Sequence, residues 1–149
     1  MHEPLEIAFT VSCSPRHAFD VWTTRTSQWW PDDHTRSGNP QLISIEGRVG
    51  GRIFERTANG EQLNWGEVVE WDPPHKLTYL WHIYGDQADA TMVEVSFKES
   101  GSNTTVLIVH TGWERLEPRA EEIRKRNHSA WEKLIPHFRN YIGADEGMR

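Results

Sequence analysis

The chain is expected to fold as an α+β domain in which an antiparallel sheet curls around one long C-terminal helix. Three observations lead there. Residues 41 to 113 alternate apolar and polar side chains between turn signals. The stretch from about Pro118 to about Gly143 carries an apolar stripe at helical spacing. Eight tryptophans in 149 residues require a large core, a cavity or both, because an indole must be buried, stacked or offered to a partner. The length suits a single domain, residues 1–149, with its ordered core over about 4–143.

The elements follow in order. Leu5, Ile7, Phe9 and Val11 alternate with Glu6, Ala8 and Thr10, the signature of a half-buried strand. Ser14-Pro15 then supplies an N-cap and a first helical residue, so a short helix is expected from Pro15 to about Trp22. A second short helix covers Ser27 to Trp30 and stops at Pro31, and a polar loop, Asp32 to Pro40, follows. Six strands come next: Leu42–Glu46, Arg52–Thr57, Leu63–Trp71, Lys76–Tyr84, Thr91–Lys98 and Thr104–Gly112, making about seven in all. Asn59-Gly60 predicts a type I′ hairpin turn, Asp72-Pro73-Pro74-His75 closes another strand, and Gly85-Asp86 and Ser100 to Asn103 mark further turns. The last helix buries Ile123, Trp131, Leu134, Ile135, Phe138 and Ile142 against the sheet, and Pro136 should bend it.

Several function classes are set aside by composition. Net charge is -6, and the one basic run, Arg124-Lys125-Arg126, follows Glu121 and Glu122 on the same helix, so a solvated face is expected and no nucleic-acid partner. The longest aliphatic run, Val106 to Val109, is too short for a membrane span. A lone cysteine, Cys13, precludes an internal disulfide, and the first residues lack the features of a secretion signal, so a cytoplasmic location is expected. No metal and no cofactor are expected. The eight histidines show no ligand spacing on one element, and His82 and His110, although they could meet on neighbouring strands, read as unrelated. Cys13 has no charged neighbour to activate it, and no nucleophile elbow or phosphate loop is present.

The interior is more informative. Leu77, Tyr79, Trp81 and Ile83 share one strand face, as do Val93, Val95 and Phe97. Glu67 shares the parity of Trp65, Val69 and Trp71; His110 shares that of Val106 and Ile108; Asn127 lies one turn before Trp131 on the apolar stripe. Polar groups on inward faces are costly unless bonded. Two readings are open. Bulges turn Glu67 outward while Asn127 and His110 bond to backbone or water, or all three orient a ligand in a cavity.

Ser14-Pro15, Val21-Trp22, Trp29-Trp30, Gly66-Glu67-Val68, Pro73-Pro74-His75-Lys76-Leu77 and His110-Thr111-Gly112-Trp113 together resemble the START-like SRPBCC superfamily. The branch resembled is the one homologous to activators of the heat-shock-protein ATPase, over about residues 5 to 142. That resemblance implies a helix-grip fold with a cavity between sheet and last helix. Relatives bind or transport hydrophobic small molecules, act as polyketide cyclases or serve as co-chaperones. Where relatives commonly carry Gly-Trp in the last helix, this chain has Ala130-Trp131. The family shares no catalytic set, so the resemblance implies a cavity and not a mechanism.

The expected function is therefore binding of a small hydrophobic or aromatic molecule, with Trp30, Phe54, Trp65, Tyr79, Trp81 and Trp131 as walls and Glu67, His110 and Asn127 as polar anchors. The mouth is expected near the loop Asp32 to Pro40, with Trp29 and Trp30 at its rim. Two alternatives stand beside it. One is a cyclase- or hydrolase-like enzyme using Glu67 or His110 as general base. The other is a co-chaperone-like module docking a chaperone, or a homodimer, through Leu107 and Val109.

Overall fold

The computed structural model describes residues 3–83 and 87–147, with side chains described as far as Gly143 and Gln87 excepted. Seven strands form one antiparallel sheet in the order β1-β7-β6-β5-β4-β3-β2. They are β1 (Leu5–Val11), β2 (Pro40–Ile45), β3 (Arg52–Thr57), β4 (Gln62–Asp72), β5 (Lys76–Trp81), β6 (Thr91–Ser100) and β7 (Asn103–Thr111). Helices α1 (Pro15–Thr24) and α2 (Thr26–Trp29) carry the chain from β1 to the far edge, and the meander β2 to β7 brings it back. Helix α3 (Ala120–Gly147) closes the concave side. This is the helix-grip arrangement that the alternation and the C-terminal stripe predict.

Local chemistry explains the boundaries. The Ser14 side chain accepts a bond from the His17 amide at 3.2 Å, and Pro15 opens α1. The 72–75 turn is closed by the His75 amide on the Asp72 carbonyl at 2.7 Å, and the Pro73-Pro74 bond is cis. Helix α3 starts at Ala120 rather than Pro118, with the Ile123 amide bonded to the Arg119 carbonyl at 3.0 Å. It continues past Pro136, which lies on its exposed side, to Gly147.

Two expectations about turns and faces are corrected. The Asn59-Gly60 turn is not type I′, because Gly60 alone has positive φ, at 90°. The Gly60 amide bonds to the Thr57 carbonyl and the Thr57 amide to the Glu61 carbonyl. The turn therefore ends on one left-handed glycine and needs no second positive φ. Along β4 the parity changes twice, because Trp65 and Val69 are skipped in the pairing with β3 and β5. Trp65, Val68 and Trp71 consequently share the inner face, and Glu67, opposite Leu80 and Arg52, turns outward. Gly66 makes the first of these changes feasible: a Cβ there would lie 2.0 Å from the Leu80 carbonyl oxygen. The strand expected to reach Tyr84 ends at Trp81, and Tyr84 and the Gly85-Asp86 turn lie outside the described residues.

Candidate functional site

The aromatic core is a connected row. Trp131 stacks on Trp22, which meets Trp29; Trp29 meets Trp30, and Trp30 meets both Trp65 and Trp81, with ring centroids 5.2 to 6.1 Å apart. Tyr79 joins through Trp81, and burial raises its phenol above the ordinary range. Trp29 is buried in this row and is no part of a rim.

Both ends of the row border a cavity of about 280 Å³. Trp30, Trp81, Ile83, Leu116, Ile123, Trp131 and Leu134 supply its apolar walls, together with the small Ala130 of α3. His34, His82, Asp89, Arg119, Arg126 and Asn127 supply its polar groups. The mouth is thus framed by the first half of α3 and the segment before β6. From the loop Asp32 to Pro40 it takes only His34.

Of the nine residues proposed from sequence, Trp30, Trp81, Asn127 and Trp131 line this cavity. Asn127 donates its amide hydrogen to the Ile123 carbonyl at 2.9 Å, one turn back on its own helix. Trp65 and Tyr79 stand behind Trp81, in ring contact with it. Phe54 lies outside the core cluster with the Arg52 guanidinium 4.4 Å above its ring, and Glu67 faces outward. The bulges of β4 account for Glu67, whereas Phe54 simply alternates with Ile53 and Glu55, the inward residues of β3.

His110 is fully buried one layer behind the wall, and its bonding fixes its tautomer. The Trp131 indole N–H donates to Nδ1 at 3.1 Å, so the ring proton sits on Nε2. Nε2 in turn donates to Thr91 Oγ1 at 2.7 Å, and that hydroxyl donates to the Trp81 carbonyl at 3.3 Å. Trp113 covers the ring at 4.3 Å and bonds the His110 carbonyl. Burial pushes the imidazole down to about 3. Both nitrogens are used, so His110 holds Trp131 and Thr91 in place and has no lone pair for a ligand proton.

Glu55 is the buried group that strand alternation does not reveal. Its carboxylate is fully covered and accepts from the Trp65 indole (3.0 Å), the Arg36 amide (2.7 Å), the Ser37 amide (3.4 Å) and the Ser37 hydroxyl (2.6 Å). A buried carboxylate with this many donors is a rigid tie. It fastens the 32–39 segment to the sheet and sets the Trp65 ring that backs Trp30 and Trp81.

Among the described residues no group of three or more His, Cys, Asp or Glu side chains could hold a metal, and no helix is long and apolar enough to cross a membrane. Cys13 is buried.

The model of the activator of Hsp90 ATPase homolog 1-like family matches residues 12–143. The chain belongs to this family. The superfamily resemblance carried by the Ser14-Pro15, Trp29-Trp30 and His110 to Trp113 motifs is thereby established. Among solved structures, an anthrahydroquino-γ-pyrone synthase, Txn09, complexed with SUM, is 32% identical, with 83% of this chain and 86% of that chain covered and a TM-score of 0.60. The self-sacrificing resistance protein CalC from Micromonospora echinospora is 24% identical over 96% of both chains, with a TM-score of 0.75. The Aha1 dimer from Colwellia psychrerythraea is 14% identical over 95% of this chain and 96% of that one, with a TM-score of 0.70. These last two share the fold. No curated protein matches the chain significantly.

Proposed function

We propose that the chain binds a compact, planar, hydroxylated aromatic molecule in the cavity between β5, β6 and α3. The observation that carries this reading is the wall itself: Trp30, Trp81 and Trp131 offer indole surfaces beside a small set of polar side chains, Thr91 and Asn127 among them. That is the composition of a small-molecule site, and about 280 Å³ stands near the lower end of the ~300–1,000 Å³ range of such sites. A long acyl chain is poorly matched by so small a space, whereas fused rings stack on indoles. The relative at 32% identity is named for making a fused aromatic pyrone, which supports the same ligand class. In this reading Trp30, Trp81, Asn127 and Trp131 touch the ligand, and Trp65, Tyr79 and His110 hold the walls from behind.

A chaperone-docking reading has less support. Among the described residues only Val49 and Met92 are exposed large apolar side chains, which is no docking patch.

The test is a panel of hydroxylated anthraquinones and flavones set against fatty acids, read by tryptophan emission and thermal melting. Saturable quenching by the fused aromatics is expected, with stabilisation of about 2.7 kcal/mol at a hundred times Kd. Absence of any aromatic hit, or preference for fatty acids, overturns the proposal.

A further inference from the structure

We propose that Asp33 and His34 form an acid–base pair at the cavity mouth that takes the proton of a phenolic or enolic hydroxyl on the bound aromatic, with the Arg119 and Arg126 guanidiniums as counter-charges. This rests on the aromatic-ligand reading of the same cavity.

His34 lines the cavity, and its Nδ1 lies 2.8 Å from Asp33 Oδ1. A carboxylate only accepts, so Nδ1 carries a ring proton, and in the uncharged form of the ring the lone pair lies on Nε2. No protein partner holds Nε2 among the described residues. The bond from His34 keeps the Asp33 carboxyl below the usual carboxylate range, so it stays ionised beside the ring. Acid–base work needs such a base with its tautomer fixed and its free nitrogen at the reacting group.

The pair is also held still. The His34 side chain is 20% exposed, while Asp33 stands mostly in water at 82%. The Trp30 indole donates to the His34 carbonyl at 3.0 Å, and the His34 amide donates to the Pro31 carbonyl at 3.1 Å. Thr35 Oγ1 bonds the Asp32 carbonyl at 2.7 Å, and Glu55 grips Arg36 and Ser37 just beyond. Orientation is thus built into the strap before any ligand arrives.

The charges around the mouth suit an oxyanion. Arg119 and Arg126 line the cavity, and each reaches Glu122 through one nitrogen, at 3.3 and 3.4 Å, leaving further N–H donors. Asp89 is the opposing charge on the lining, and His82 is the other imidazole there. In the step, the ligand O–H bond breaks and an N–H bond forms at His34 Nε2. The imidazolium is stabilised by Asp33, and the negative charge spreads from the ligand oxygen into its rings. Returning that proton to another ligand atom restores neutral His34, so the cycle consumes nothing and amounts to tautomerisation.

The probe is alizarin, a dihydroxyanthraquinone whose visible band moves to longer wavelength when its first phenol ionises. Bound to the unaltered chain, its ionisation constant should rise at least tenfold over the free dye. His34→Gln should bind it, as judged by tryptophan quenching, yet leave its ionisation as in water. Asp33→Asn should fall between, and Arg119→Gln with Arg126→Gln should reduce the ionised fraction. Matching circular dichroism and melting curves establish that these variants fold. A dye that quenches but stays un-ionised, or ionises equally with His34→Gln, overturns this inference and leaves the binding proposal standing. A dye that neither quenches nor raises the melting temperature overturns the inference together with the reading it rests on.

Discussion

Helix α3 packs on the concave side of the sheet, yet its two halves do different things. From Trp131 onward its inward positions are Leu134, Ile135, Phe138 and Ile142, all buried, and Phe138 sits edge-on to Phe9, Trp22 and Trp29. Before Trp131 the corresponding positions are Ile123, Asn127 and Ala130, and the space they leave is the cavity. The first half leaves space on the concave side, and the second fills it beyond Trp131 and Leu134, which still line the cavity. The difference is a matter of side-chain volume on successive turns of one helix, with no change of backbone architecture. Most of the tight packing and most of the open space therefore fall toward opposite ends of the same element.

The largest effect that would test this division belongs to the filled end. Phe138→Ala should destabilise the fold by about 3–5 kcal/mol, since a buried ring with three aromatic neighbours leaves a cavity that cannot collapse easily. Urea denaturation gives the value, and a loss below about 1 kcal/mol would mean that both ends are loosely filled.

A smaller effect comes from His110, behind the wall between the two ends. Its folded pKa is depressed to about 3, so the unfolded chain takes up the proton first as pH falls through about 6.5. The stability its neutral form contributes is complete above about 6.5 and is lost progressively toward about 3, by at most about 1.4 kcal/mol per pH unit. Between pH 6.5 and 5, His110→Gln should lose about 2 kcal/mol less than the unaltered chain. Parallel slopes in urea melts across that window would show that the ring titrates while folded.

The smallest stability change is expected at the open end. Ala130→Leu places a side chain in empty space, so stability should move by less than about 1 kcal/mol in either direction. Aromatic binding should weaken by more than tenfold all the same. A strongly destabilised Ala130→Leu would show that the first half of α3 is tightly filled.

Sequence patterns reached the architecture because each element carries its own local signal: alternation in β1, Ser14-Pro15 before α1, the Asp72 to His75 turn and the stripe of α3. They reached His110 and Trp131 for the same reason. They pointed to the Asp32 to Pro40 loop but not to the charged groups across from it, because those come together only through tertiary structure. Arg119 and Arg126 look like the solvated face of a helix, and Asp33-His34 like ordinary loop residues. Glu55 reads as a solvent-facing strand carboxylate, since its donors come from a loop and a neighbouring strand. Alternation leaves Glu67 open between an inward anchor and a residue that a bulge turns outward, because a bulge is one unpaired residue and alternation has no means of marking which one.

The linked indoles have a consequence in optical physics. Trp131, Trp22, Trp29, Trp30, Trp65 and Trp81 form an uninterrupted series of ring contacts whose two ends both line the cavity. At such separations excitation migrates among indoles faster than any one of them emits. A single absorbing guest against Trp30 or Trp81 would drain the whole series, Trp22 and Trp29 included. The row is an antenna whose terminal trap is whatever the cavity holds.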